Sequence, residues 1–375
     1  EMIITQKDLD RLKQARFSYE IIHDDVEAFY KIRLSITKRD EFPDGSMGGY
    51  YLFPEIVAKL DELHNQYPNL ISQKMAIGST REGRSVWAIK MSSSLNSPAT
   101  KPDVLYTGLH HSREPMSYMN LFYYMMWLAK NYQVNPLATH LLDHRELWFI
   151  PAVNPDGLVY NHVIEPNGGG MQRKNHLETC LNNNNYSLWD GVDLNRNYSY
   201  LWGSDDIGSS PESCSQTYRG HSPFSEPETV AVRNFVNAHQ FKLALNHHSY
   251  GNLLILPDYN VTTMSTNDFD IYMEYGNVMA QSNGYLFGTG SETVGYTVNG
   301  EACNWMFFEK GVYAYTPEIG AWNDGFWPAT NRIIPLSQSV LYMNQFIAKA
   351  SGAMYTIHLA NVSGPITVLP GQTMT

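Results

Sequence analysis

Cysteine is scarce in this chain, three residues in 375, which leaves room for one disulfide and no more. Positive charge is short as well. Lysine and arginine number 26 against 37 aspartates and glutamates, a net charge of −11, and an acidic surface argues against nucleic acid as a partner. No apolar run reaches the ~18–20 residues that a membrane span needs. The longest patch, Leu121–Ala129, reads as part of a buried helix. No internal repeat and no leader peptide is apparent, but the chain starts at Glu1 rather than Met, so removal of an N-terminal segment is expected. What is present suits a globular chain: 43% hydrophobic against 17% charged residues, enough apolar side chain to bury a sizeable core. The length allows two or three domains, although single α/β domains reach about 300 residues.

The hydrophobic pattern alternates between helix and strand. Phe53, Ile56, Leu60 and Leu63 recur at helical spacing and predict a helix over Leu52–Tyr67. Strands are expected at Ser72–Ile77 and Ser85–Met91 around a hairpin-type connection, then at Asp103–Leu109, Glu146–Ile150, Lys242–Asn246 and Val312–Tyr315. Helices are expected at Met116–Tyr132, Glu226–His239, Asp268–Asn283 and Pro335–Ala350, and Asn154-Pro-Asp-Gly157 reads as a turn. This alternation predicts an α/β fold with a mixed, largely buried central β-sheet flanked by helices on both faces. Residues 1–48 look separate: an amphipathic helix Gln6–Ala15, a strand Phe17–Ile22, a charged helix Asp24–Arg33 and a polar Gly/Pro break. The tail 356–375 is β-branched and broken by Pro and Gly, and reads either as the start of a further β-rich module or as a linker.

His111-Ser-Arg-Glu114 holds an imidazole and a carboxylate three residues apart, and His247-His248 follows much later. Two imidazole nitrogens and one carboxylate oxygen suit Zn²⁺ and leave a position open for water, as a catalytic zinc requires. The short pair is weak alone, because His162-Val-Ile-Glu165 has the same spacing. Position favours the first pair. His111, His248 and Glu318 all sit just past expected strand C-termini, where sites gather in open α/β sheets. Cys180 and Cys214 flank a polar, loop-like stretch; either a bridge closes it or both remain thiols, with Cys303 left over. A bridge implies an oxidising, extracytoplasmic compartment.

Five motifs stand in one order: Thr107-Gly-Leu-His-His-Ser-Arg-Glu-Pro115, Asn154-Pro-Asp-Gly157, Gly191-Val-Asp-Leu-Asn-Arg-Asn197, His248-Ser-Tyr250 and Tyr315-Thr-Pro-Glu318. Together they resemble the zinc metallocarboxypeptidases of the carboxypeptidase A type, over residues 49–355. The resemblance implies one catalytic domain there and one Zn²⁺ held by His111, Glu114 and His248, with His110 and His247 as neighbours rather than ligands. It implies that Asp193 orients His111, that Glu318 is the general base and that Arg173 steadies the oxyanion. Asn195 and Arg196 would grip the substrate's terminal carboxylate, a task suited to arginine's fork, and Tyr296 would close over it. Arg113, Tyr250 and Phe326 match outer substrate subsites. Cys303 stands at the pocket position that is apolar or acidic in relatives, and Glu301, Thr316, Val298 and Ile255 belong to the same pocket. The expected preference is broad or dual, hydrophobic C-terminal residues first and basic ones next.

Cys180 and Cys214 match a disulfide of animal relatives, and residues 1–40, through Phe17–Ile22 and the acidic helix Asp24–Tyr30, resemble the end of the family's inhibitory pro-segment, an intramolecular inhibitor in a zymogen. Pro115 departs from the family's aromatic, and several residues are inserted between Arg173 and Asp193, which puts loop shape in question rather than the metal. The resemblance thus implies a secreted exopeptidase acting on peptide and protein C-termini. Two other readings stand beside it: a cell-wall (murein) peptide hydrolase on the same scaffold, and a non-catalytic carboxylate-binding module.

Overall fold

The computed structural model describes residues 6–34, 42–96, 101–180, 186–258 and 263–352. The tail 356–375 and the asparagine run 182–185 lie outside these residues. Eight strands form one sheet: β1 (Met75–Ser79), β2 (Ser85–Met91), β3 (Asp103–Thr107), β4 (Glu146–Ile150), β5 (Phe241–Asn246), β6 (Leu253–Ile255), β7 (Leu286–Gly288) and β8 (Tyr313–Glu318). Their order is β1-β2-β4-β3-β5-β8-β6-β7. The inner strands β4, β3, β5 and β8 run parallel; β2 and β6 pair with them antiparallel. Register places Thr107 opposite Asn246 and Leu245 opposite Tyr315, so the segments leaving β3, β5 and β8 emerge side by side at one edge.

β3 and β4 are buried along their whole length, as parallel strands covered on both faces must be. Successive side chains of β3 face opposite ways: Val104 and Tyr106 enter one core, Leu105 the other. The larger core lies under helices Phe53–Gln66, Met116–Asn131 and Thr266–Gln281 and the C-terminal helices. The smaller lies under helices Pro227–Asn237 and Ala302–Lys310, around Val232, Trp305 and Ala314. Each such apolar side chain contributes roughly 1.5–3 kcal/mol on full burial. Packing is tight enough that a Cβ on Gly78 of β1 would lie 2.5 Å from the Cβ of Ala231.

Several expectations are corrected. Phe17–Ile22 is not a strand; nothing among the described residues pairs with it, and Phe17 and Ile22 stand 66% and 59% exposed. A lone strand without partners has no hydrogen bonds to hold it. Asn154–Gly157 opens a helix, Pro155–Ile164: the Asn154 side chain accepts from the Gly157 N–H at 3.0 Å, and proline occupies the first helical position. Pro335–Ala350 is two helices, Ile333–Ser339 and Leu341–Ala350, meeting at Val340. β6, β7 and helix Ala302–Lys310 were not expected; three-residue strands are too short to show alternation.

Candidate functional site

The chain leaving β3 turns sharply. Leu109 adopts a left-handed φ of 58°, held on both sides: its N–H donates to Ser117 Oγ at 2.9 Å, and its carbonyl accepts from the Asn154 N–H at 2.9 Å. Ser112 N–H then donates to the Arg173 carbonyl at 3.0 Å, while Asn161 Nδ2 donates to the carbonyls of Ser112 and Gln172, each at 2.9 Å. These bonds fix the loop carrying His111 and Glu114. From β5, His248 N–H donates to the Pro317 carbonyl at 2.8 Å and its carbonyl accepts from Ile319 N–H at 2.9 Å, which seats His248 beside Glu318.

Three buried side chains converge there. His111 Nδ1 and His248 Nδ1 each lie 2.8 Å from a different oxygen of Glu114, and 3.1 Å from one another. The three ligand atoms lie within 4.8 Å of each other, the only such group among the described residues. Two imidazole nitrogens turned toward each other and toward one carboxylate fit Zn²⁺ in chemistry and number. The second short pair is placed elsewhere: Glu165 meets Lys31 Nζ at 2.5 Å. His110 Nε2 contacts the Tyr198 hydroxyl at 2.8 Å, and His247 Nε2 contacts Asn344 Oδ1 at 2.9 Å, so neither joins the three.

Asp193 ties this corner to what surrounds it. Its Oδ1 lies 3.0 Å from His111 Nε2 and accepts from the Asn195 N–H at 3.0 Å; its Oδ2 accepts from Arg173 Nη2 at 2.8 Å. Burial alone raises such a carboxyl, but Arg173, then Arg196 and His111, hold it well below the usual range. Glu114 is likewise buried and held low by His111 and His248. Glu318 moves the other way: burial and the charge of Glu114 push it well up, against Arg173 and Arg196.

Asn195 and Arg196 sit in a short 3₁₀ turn that Asp193 caps. Asn195 Oδ1 accepts from the Ala302 N–H at 3.0 Å, leaving its amide nitrogen without a partner among the described residues. Arg196 donates to the carbonyls of Gly208 (2.6 Å) and Asn195 (2.8 Å) and keeps Nη2 uncommitted among them. This turn is laced to the loop carrying Tyr296, which stands 42% exposed: Tyr198 N–H donates to the Gly300 carbonyl at 2.9 Å, and Gly300 N–H to the Tyr200 carbonyl at 3.0 Å. A Cβ on Gly300 would fall 2.4 Å from the Arg196 carbonyl oxygen, and its φ of 74° favours glycine in any case.

The Arg113 guanidinium lies 4.0 Å from the Phe326 ring centre, and the Phe326 ring meets Tyr250 edge-on at 4.8 Å. Trp322, unremarked in the sequence, extends this strip against Tyr250 at 5.5 Å. The N-terminal helix Val26–Lys31 reaches the same place, where the buried Tyr30 hydroxyl accepts from the Phe326 N–H at 3.0 Å. Of the residues expected in the pocket, Ile255 and Thr316 are partners across β6 and β8, and the buried Cys303 thiol donates to the Ala314 carbonyl at 3.1 Å. Asp258 was missed because β6, which delivers it, was missed. Its N–H donates to Asn304 Oδ1 at 2.9 Å and its Oδ2 accepts from the Val298 N–H at 3.1 Å. The disulfide Cys180–Cys214 is formed, with Cα atoms 5.1 Å apart.

Comparisons with known proteins agree with this geometry. The sequence model of the zinc carboxypeptidase family matches residues 56–343. Carboxypeptidase A1 of Mus musculus is 30% identical over 335 residues, covering 86% of this chain and 76% of the relative. A zinc carboxypeptidase of Simulium vittatum is 30% identical over 306 residues, covering 78% of this chain and 93% of the relative. Among solved structures, carboxypeptidase A of Helicoverpa armigera superposes with a TM-score of 0.77 at 25% identity, covering 92% of this chain and 86% of that one.

Proposed function

The chain belongs to the zinc carboxypeptidase family and is a metallocarboxypeptidase, and from that premise we propose that it releases single residues from peptide and protein C-termini, with His111, Glu114 and His248 as the zinc ligands. The observation that carries this reading is the three-atom corner set beside Glu318, with unpaired Asn195 and Arg196 donors next to Asp193. When bound, Zn²⁺ supplies a Lewis acid that polarises water and the scissile carbonyl. Glu318, seated beside His248, takes the proton from the attacking water and returns it to the leaving amine. Arg173 steadies the oxygen on which negative charge develops. Asp193 holds the His111 ring in place from its far nitrogen. Arg196 and Asn195 take the terminal carboxylate and Tyr296 closes over it, so that only chain ends fit.

Arg113, Tyr250 and Phe326 line the outer subsites. Thr316, Ile255, Val298 and Cys303 give the pocket a partly apolar wall, which supports acceptance of apolar C-terminal residues, with basic ones beside them through Glu301. Residues 1–48 are read as the end of a pro-segment with its linker, and 49–355 as the catalytic domain. Contact of Tyr30 with Phe326, which carries Arg113, supports a restraining role for that segment. No described helix is long and apolar enough to cross a membrane, and the disulfide supports secretion. The test is a metal analysis of the purified chain with a panel of peptides ending in Phe, Leu, Lys or Arg, each also as its C-terminal amide. Stoichiometric zinc and release of the last residue from free acids alone is expected; equal cleavage of the amides would overturn the reading.

A further inference from the structure

His111 and His248 are held in different ways. The far nitrogen of His111, Nε2, has Asp193 at 3.0 Å behind it. The far nitrogen of His248, also Nε2, is buried and meets no partner among the described residues. The last torsion of a histidine side chain has a broad well, so the plane of the ring must be set from outside. The contacts of His248 with Glu114 and His111 run through Nδ1, the atom offered to a metal, and give no support from behind. What lies against the ring is His110. It is buried, and its ring is nearly parallel to that of His248, 21° apart in plane with centres 5.5 Å apart. His110 is itself pinned at two points: Nε2 contacts the Tyr198 hydroxyl at 2.8 Å, and its carbonyl accepts from Asn154 Nδ2 at 3.3 Å. Tyr198 has little freedom either. It is buried, its ring packs against Trp305 at 5.3 Å and Phe224 at 5.6 Å, and its N–H donates to the Gly300 carbonyl at 2.9 Å.

We propose that His110 is a positioning residue for His248, and that Tyr198 locks His110 in its pose. The flat face of His110 does for His248 what the Asp193 carboxylate does for His111: it fixes the plane of the ring and so the direction of the nitrogen that faces the metal. This rests on the reading of His248 as a zinc ligand and adds the group that aims it. An imidazole suits the place because it offers two things at once. Its face packs against a neighbouring ring, and its edge carries a nitrogen for the Tyr198 hydroxyl. An aliphatic side chain would fill the space without holding a plane. A phenyl ring would keep the face but lose the bond that stops it turning.

The test reads the metal rather than turnover. Zinc affinity of the full chain is measured by competition with a chelator, and the visible absorption of the Co²⁺-substituted protein reports how the ligand atoms are arranged. In His110→Ala the affinity is expected to fall by about tenfold or more, as for other groups behind a metal ligand, and the Co²⁺ bands to shift. His110→Phe should lose less, since it keeps the face. Tyr198→Phe removes only the hydroxyl; it should also weaken zinc, and adding it to His110→Phe should cost nothing further, because both remove the same bond. Wild-type affinity in His110→Ala, or a lower affinity with unshifted Co²⁺ bands, overturns the proposal. If that variant does not fold, wild-type affinity and bands in Tyr198→Phe overturn it, and additive losses in the double variant overturn the lock. A wild type that takes up neither zinc nor Co²⁺ overturns instead the metal reading beneath it.

Discussion

Asp193 and Glu301 are both buried carboxylates that feel Arg196, and the molecule treats them in opposite ways. Asp193, in the metal corner, is met by Arg173, His111 and the Asn195 N–H, and stays ionised far below the usual range. Glu301, at the start of helix Ala302–Lys310, is met by no hydrogen bond among the described residues, and burial carries it up to about 8. The contrast fits the two roles proposed for these residues. A residue orienting a metal ligand must be in one state throughout turnover, so its partners come from the chain itself. A residue that reads a variable side chain has its partner delivered by the substrate.

The comparison can be broken or sharpened by experiment, starting where the effect is greatest. Glu318→Gln should lower turnover by about 10²–10⁴-fold, the range for a positioned general base, with zinc content by metal analysis unchanged. Turnover near wild type would remove Glu318 from its assigned role. Asp193→Asn should follow, weakening zinc affinity or turnover about 10–100-fold, as removal of a group behind a metal ligand does; competition with a chelator reads the affinity directly. If neither moves, the partners around Asp193 serve packing alone and the contrast fails.

The smallest effect concerns Glu228, a third buried carboxylate, in the first turn of helix Pro227–Asn237. Both its oxygens are unpaired among the described residues, and burial, then Glu226 and Asp156, push it up to about 8. From its ordinary 4.5 to about 8 the folded state keeps a proton the unfolded chain has lost, so stability falls as pH rises through that window. Urea midpoints at about pH 5 and about pH 8 should show the loss, and Glu228→Gln should flatten it. An unchanged slope in the variant would assign the pH dependence to other groups.

The strands with strong β-branched and aromatic runs are legible in the sequence itself: Ser85–Met91 and Glu146–Ile150 coincide with β2 and β4 to the residue. Strand-end placement and motif order single out His111, Glu114 and His248, because ligands of one metal fall where parallel strands end together. The pocket wall is harder to read. β6 and β7 are three residues each, and helix Ala302–Lys310 is buried through its first half, so neither shows a period. Asp258 is lost with β6. The unpaired state of Glu301 is a fact of packing, visible only once its neighbours are placed.

Gly300 links the two regions. Its peptide is bonded to Tyr198 and Tyr200 on either side, and there is no space for a side chain between it and the Arg196 carbonyl. The loop carrying Tyr296 and Glu301 is therefore not an exchangeable cassette. Transplanting residues 296–301 from another scaffold would shift the backbone that carries Arg196. A library aimed at specificity does better to hold Gly300 constant and vary Glu301, Cys303 and Asp258 around it.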